Sequence, residues 1–297
     1  MGMHTIDTQL ASNQAPASQA DEADQTRRFG GIARLYGAAA LARFRAAHVC
    51  VIGVGGVGSW VVEALARSAV GQLTLIDLDN VAESNINRQI QAMSGTIGQA
   101  KVDALAARIA QINPACRVHL VEDFIGPDNL DQLLAGRDYD YVVDAIDSVK
   151  AKAALIAWCR ARALPLVTIG SAGGQVDPTR IEVRDLARTE QEPLLKMVRK
   201  RLRGQYGFPR SPKTKFLVDA VFSMEPLTLP QGEDSCEVDP DGITGLNCAG
   251  FGSSVVVTAS FGMIAAAHVL RRLAADPAAP APAPERGAGQ EAEALLS

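Results

Sequence analysis

Apolar residues in this chain fall into short continuous runs that alternate with longer stretches of helical spacing. The first run, 48–53 ("HVCVIG"), ends at a glycine-rich loop and reads as a buried strand. In 59–71 ("SWVVEALARSAVG"), Val61, Val62, Leu65 and Ala69 share one helical face, and Gly71 is a stop. A second strand, 72–77 ("QLTLID"), follows. The alternation continues with a helix at 100–113 stopped by Pro114, a strand at 117–123 and a short helix at 129–136. A strand at 141–147, a helix at 150–163 and a strand at 164–170 complete it. This order predicts a Rossmann-like, doubly wound α/β fold: a largely parallel sheet covered on both faces. After Gly170 the pattern loosens. A C-terminal extension is predicted there, with added strands at 181–186 and 216–223, a basic helix at 190–203 and an apolar helix at 253–275.

The ends differ in composition. Residues 1–27 are mostly polar and Ala/Ser/Gln-rich, the pattern of a disordered lead-in, and 276–297 form a Pro/Ala-rich tail. The folded part then divides into a nucleotide-binding unit, 28–170, and the extension, 171–275. A hydrophobic fraction of 47% and a charged fraction of 21% are ordinary for a globular protein. A net charge of −4 makes any nucleic-acid contact a local one. The five cysteines have no CxxC spacing, so neither a disulfide framework nor a tetrathiolate zinc site is expected. With no secretory pattern at the N-terminus, a cytoplasmic setting fits. The uncharged stretch 251–267 is 17 residues, the short limit for a bilayer. Its small residues and the nearby His268 fit a core or dimer helix better than a single C-terminal span or a peripheral membrane contact.

The loop "GVGGVGS" supplies Gly53, Gly55 and Gly58 in the Gly-x-Gly-x-x-Gly pattern, with Gly56 inside it and Ser59 after it. In a strand–turn–helix setting these glycines permit a tight turn, close phosphate approach and close helix–strand packing. Asp77, nineteen residues past Gly58, ends the second strand where a carboxylate would accept ribose hydroxyls. On these features a redox dinucleotide and a consumed nucleotide are equally good. The segment "IDLDNVAESNINRQ" changes the balance, with Asp79, Asn85, Arg88 and Gln89, and Lys101 beyond it. Asp147 closes a later strand at the sheet's carboxyl edge. Two cations plus a carboxylate suited to Mg²⁺ match a triphosphate better than a diphosphate.

"GVGGVGS", "DLDNVAESNINRQ", "GQAKVDALAARIAQINP" and "DAIDS" resemble the adenylating domain shared by ubiquitin-activating enzymes and bacterial sulfur-carrier activators. The resemblance implies ATP and Mg²⁺, with Asp77 on the ribose, Asn85, Arg88 and Lys101 on phosphates, and Asp147 on the metal; a monovalent cation is left open. It also implies a homodimer in which an N-terminal arginine reaches the partner's ATP. The usual second position of that Arg-aromatic-x-Arg pattern is Gly31 here, so Arg34 or Arg28 would substitute. "RFGGIARLYG", "GSAGGQVDPTRIEVRDLARTEQEPL" and "NCAGFGSSVVVTASFG" extend the resemblance to the tRNA threonylcarbamoyladenosine dehydratases over about 27–273. That family adenylates the carboxylate of threonylcarbamoyladenosine beside the anticodon and closes it to a ring.

Two further features bear on this reading. Residues 196–215 carry Lys196, Arg199, Lys200, Arg201, Arg203, Arg210, Lys213 and Lys215 without an acid, a candidate tRNA contact in which Tyr206 and Phe208 could stack on bases. Cys236, in a polar loop, is a candidate nucleophile, although Glu233, Asp234 and Glu237 oppose thiolate formation; Cys248 is undecided. Three alternatives stay open at this level. They are a sulfur-carrier activator linked to a cysteine desulfurase system, an NAD-dependent oxidoreductase, and a non-catalytic tRNA-binding module.

Overall fold

The computed structural model describes residues 19–211, 213–228 and 251–275. Two helices, α1 (Gln19–Tyr36) and α2 (Ala38–Ala46), precede β1 (His48–Ile52). Then come α3 (Gly58–Arg67), β2 (Gln72–Ile76), α4 (Lys101–Ile112), β3 (Arg117–Val121), α5 (Leu130–Leu134), β4 (Tyr141–Asp144), α6 (Val149–Ala161) and β5 (Leu166–Ile169). The chain continues through β6 (Ile181–Asp185), α7 (Pro193–Gln205), β7 (Asp219–Ser223) and α8 (Val255–Ala274).

The strands form one sheet in the order β3-β2-β1-β4-β5-β7-β6, parallel except for the β6–β7 pair. Strand β1 is buried along its whole length, which is why it reads as a continuous apolar run and not an alternating one. Its two neighbours, β2 and β4, are reached by crossovers running in opposite directions. This switch point opens a crevice at the carboxyl ends of the strands.

Each face of the sheet carries its own apolar layer. Val61, Leu65, Leu105 and Phe261 pack on one side, and Leu134, Leu155, Leu195 and Leu202 on the other. Each fully buried side chain of this size contributes roughly 1.5–3 kcal/mol. Helix α8 belongs to the first layer. An added Cβ at Gly262 would lie 2.7 Å from Trp60 Cβ of α3, so only glycine allows the two helices to close. Among the described residues α8 alone is long and apolar enough to cross a membrane, yet half of its most apolar window is buried in the protein. The nucleotide-binding unit and the extension thus share one sheet and both of its apolar layers.

The expected lead-in through residue 27 needs correction. Helix α1 begins at Gln19, and Asp24 accepts from Arg28 at 2.6 Å one turn away. Phe29, 3% exposed, packs on Leu41 and Ala69 and anchors the helix. The expectations for residues 1–18 and 276–297, and for Cys236 and Cys248, lie outside the described residues.

His268 of α8 sits 3.0 Å from Asp219 at the start of β7. This hydrogen bond holds the Asp219 carboxyl below its ordinary value, against the opposing effect of burial. Its contribution to stability is therefore present above the unfolded carboxylate value and lost as pH falls through the lower folded one. Asp219→Asn should lower the urea midpoint at neutral pH and narrow the difference between neutral pH and about pH 3. An unchanged pH dependence in that variant would contradict the linkage.

Candidate nucleotide and substrate cleft

At the carboxyl ends of the strands lies a cleft of about 730 Å³. Its floor is the glycine loop between β1 and α3. Gly53 has φ +81°, and a Cβ there would lie 2.8 Å from the Ala145 carbonyl oxygen. A Cβ at Gly58 would come within 1.8 Å of the Gly53 carbonyl oxygen, so this glycine sets how closely helix and loop approach. Gly56 has a separate reason: the Arg88 side chain lies over it, with Cδ 3.3 Å from where a Cβ would be. Ser59, expected with the loop's glycines at the nucleotide, is fully buried and does not line the cleft.

Asp77 directly follows β2, close to the strand end the sequence suggested. One of its oxygens accepts from Val54 N at 2.7 Å, tying it to the glycine loop, and the other accepts from Asp79 N at 2.9 Å. Lys101 Nζ lies 2.6 Å from Asp79 and 3.8 Å from Asp77, held at the start of α4 and only 6% exposed. Asn85 is buried and accepts from Ala82 N at 3.1 Å, shaping the turn that presents Arg88. The Arg88 carbonyl accepts from Trp60 Nε1 at 2.9 Å, while its guanidinium donates to Ser84 O at 2.6 Å. Gln89, also buried, accepts from Gln91 Nε2 at 3.0 Å. Asp147 is exposed on the turn after β4 and lines the same cleft. Gly53, Gly55, Gly56, Asp77, Asp79, Asn85, Arg88, Gln89, Lys101 and Asp147 thus meet in one cavity.

The turn that carries Asp147 rests on a buried ion pair that the sequence reading missed. Lys152 Nζ and Asp144 Oδ2 are 2.9 Å apart, and both side chains are fully buried. Thr168 donates to the same carboxylate at 2.7 Å, and Lys152 also donates to Thr168 Oγ1 and the Asp144 carbonyl. The other carboxylate oxygen accepts from Ile146 N at 3.1 Å, fixing the turn. Burial raises the Asp144 carboxyl from its ordinary value, and Lys152 and Thr168 oppose that rise. A second buried carboxylate, Glu192, accepts from Ser171 N at 2.8 Å and from Leu195 N, joining the β5 exit to the start of α7. Lys150 was also missed. It is exposed on the cleft wall and makes no hydrogen bond or ion pair among the described residues. Its signal was its place one turn past Asp147. Asp123, Phe124 and Ile125, at the exit of β3, form the far wall.

The described residues hold no group of three or more His, Cys, Asp or Glu able to enclose a metal. Asp147 fits Mg²⁺ in the way phosphate-transfer sites do, with one or two carboxylates and the rest of the shell from phosphates and water.

The basic segment is divided by the structure. Lys196, Lys200, Arg210, Lys213 and Lys215 are exposed. Arg199 donates to Thr189 Oγ1, and Arg203 lies over the Phe216 ring at 5.1 Å and donates to Pro209 O at 3.2 Å. These two are turned into the protein, and Arg201 is half-buried. Phe208 stacks edge-on with Phe216 at 5.0 Å, and Tyr206 packs against the same core, so neither is the free stacking platform the sequence allowed. Arg28 is committed as well, to Asp24 and to the Gln111 and Ile112 carbonyls. Arg34 is exposed and has no partner among the described residues.

Fold and cleft define a Rossmann-like nucleotide-binding protein whose cleft is lined by Arg88, Lys101 and Lys150 as well as by the glycine loop. The ThiF family profile matches residues 30–286, and the chain belongs to that family. A tRNA threonylcarbamoyladenosine dehydratase of Haemophilus influenzae is 53% identical over 248 residues, spanning 83% of this chain and 93% of the relative. The crystal structure of Escherichia coli tRNA N6-threonylcarbamoyladenosine dehydratase, TcdA, with ATP matches at a TM-score of 0.77 and 49% identity, covering 87% of this chain and 97% of that one. The same enzyme with AMP matches equally well, over 88% and 97%.

Proposed function

We infer that this protein is an ATP-dependent dehydratase that cyclises N6-threonylcarbamoyladenosine in tRNA. One observation carries the reading. One cleft gathers Asp77, Arg88, Lys101 and Asp147, in a chain about half identical to dehydratases of that name, one of them solved with ATP and with AMP.

A carboxylate is a poor electrophile, and adenylation gives it a good leaving group. A substrate carboxylate oxygen bonds to the α-phosphorus, the bond to the β-phosphate oxygen breaks, and pyrophosphate leaves. The substrate's own ureido group then bonds to the acyl carbon and gives its proton to solvent, the acyl–oxygen bond to AMP breaks, and the nucleoside has lost one water overall. This second step is intramolecular and has a large effective concentration. Asp77 orients the ribose, the glycine-loop amides and Arg88 hold phosphate, and Lys101 offsets developing charge. Mg²⁺ on Asp147 would neutralise phosphate charge when bound. No protein nucleophile is required. Burial pushes the Cys50 and Cys116 thiols up to about 12 and also raises Cys159, so none of these is a thiolate at neutral pH.

A second copy of the chain completes the site in this reading. Arg34 is exposed beside Leu35, itself 75% exposed, and we assign this end of α1 to the partner's cleft. A tRNA substrate supports a cytoplasmic location, and among the described residues Cys50, Cys116 and Cys159 are free thiols, which suits a reducing compartment.

The test follows the nucleotide products. AMP and pyrophosphate should form only when tRNA carrying the modified base is present; ADP formation, or tight NAD binding without Mg²⁺, would contradict the reading. Replacing Lys196, Lys200, Lys213 and Lys215 together by glutamine should weaken tRNA binding while leaving ATP binding unchanged. The log–log salt slope should fall by roughly one for each phosphate that the variant no longer neutralises. Equal tRNA affinity and slope would remove this surface from the account.

A further inference from the structure

A second cavity, of about 760 Å³, lies on the α3–α4 face, away from α7. Three guanidiniums line it, from Arg28, Arg67 and Arg108, and the described lining residues include no carboxylate. That is unexpected in a chain of net charge −4. The nucleotide cleft, by contrast, is walled by five aspartates.

The arginines are held from behind. Glu63, 4% exposed, pairs with Arg67 Nε at 2.7 Å and with Arg108 through Nε at 2.6 Å and Nη2 at 3.0 Å. Arg28 is held by Asp24 and two α4 carbonyls. Both terminal nitrogens of Arg67, and one each of Arg108 and Arg28, remain without a partner among the described residues. Guanidiniums fixed in this way are preorganised for the oxygens of a phosphate.

A fourth group selects for more than charge. Gln91 lines the cavity, is 1% exposed, and its Oε1 is buried with no hydrogen-bond partner. Its amide cannot be reversed without loss, because Nε2 donates to Val54 O and to Gln89 Oε1, both at 3.0 Å. A buried acceptor left open asks for a donor from whatever fills the cavity. We propose that this cavity is a second binding site, for a phosphate ester that also carries a hydroxyl, a ribose-phosphate unit. The arginines take its phosphate and Gln91 takes its hydroxyl. Because Gln91 also holds the glycine-loop carbonyl and Gln89, an occupant touches the nucleotide loop through one side chain.

The unit can come from an RNA backbone or from a free nucleotide, and the test separates these. With the cleft saturated by a non-hydrolysable ATP analogue, the full chain is titrated with a 5′-labelled short oligoribonucleotide by anisotropy. It is titrated separately with AMP by calorimetry. Saturable binding of the oligoribonucleotide alone identifies an RNA backbone, and binding of AMP identifies a free nucleotide. In either case affinity should fall tenfold or more in Arg67→Gln. The same loss is expected in Ala107→Glu, which places a carboxylate at an exposed position of the cavity wall. The thermal midpoints of both variants confirm that they fold. If neither probe binds, or if both variants bind as the parent does, the proposal is overturned.

Discussion

Replacing Lys152 by methionine is expected to destabilise the protein by about 3–5 kcal/mol, the range for stranding one member of a buried ion pair. Asp144 would be left fully buried with Thr168 and the Ile146 amide as its remaining partners, so its carboxyl would have to take up a proton. The double variant Asp144→Asn/Lys152→Met removes both charges and should recover most of that stability, since replacing a buried pair outright is often close to neutral. Activity should not return with it. The turn bearing Asp147 is set by the bond from Ile146 N to the Asp144 carboxylate, and a neutral amide holds it more weakly. Denaturant unfolding of the three proteins together with their turnover checks this. A double variant as unstable as the single one would show that the charges act on the fold in some other way.

The second large effect belongs to Lys101. Lys101→Ala should lower kcat/KM by about 10²–10³-fold, the cost of losing one preorganised charge-stabilising donor. It should cost little stability. Asp79 is mostly exposed and can turn to water once the cation is gone, although Asp77 cannot move as freely because it holds Val54 N. ATP affinity should fall far less than turnover, since Lys101 acts on charge that develops during the reaction. Parallel losses in ATP binding and turnover would make Lys101 a simple phosphate anchor.

The unit β1–glycine loop–α3–β2 was legible because its apolar run, its glycines and its helical spacing all agree. The candidate phosphate residues were legible for the same reason: Asn85, Arg88 and Lys101 follow Asp77, the candidate ribose carboxylate, at short range in the chain. Helices α1 and α2 were not legible. Their segment is rich in alanine and arginine and interrupted by Gly30, Gly31 and Gly37, and the contacts that hold it come from distant positions such as Ala69 and Leu273. The Asp144–Lys152 pair was missed because its members lie eight positions apart, and only the strand-to-helix turn brings them together. Phe208 and Arg203 were misread as free surface groups. Their partner, Phe216, lies beyond a loop that no local pattern specifies.

The most direct measurement of the central claim uses tRNA carrying threonylcarbamoyladenosine, incubated with the protein, ATP and Mg²⁺ and then digested to nucleosides for mass spectrometry. The expected result is a modified nucleoside lighter by one water, formed only with ATP and about 10²–10³-fold more slowly in Lys101→Ala. A nucleoside of unchanged mass, from protein that binds both ATP and this tRNA, would contradict it.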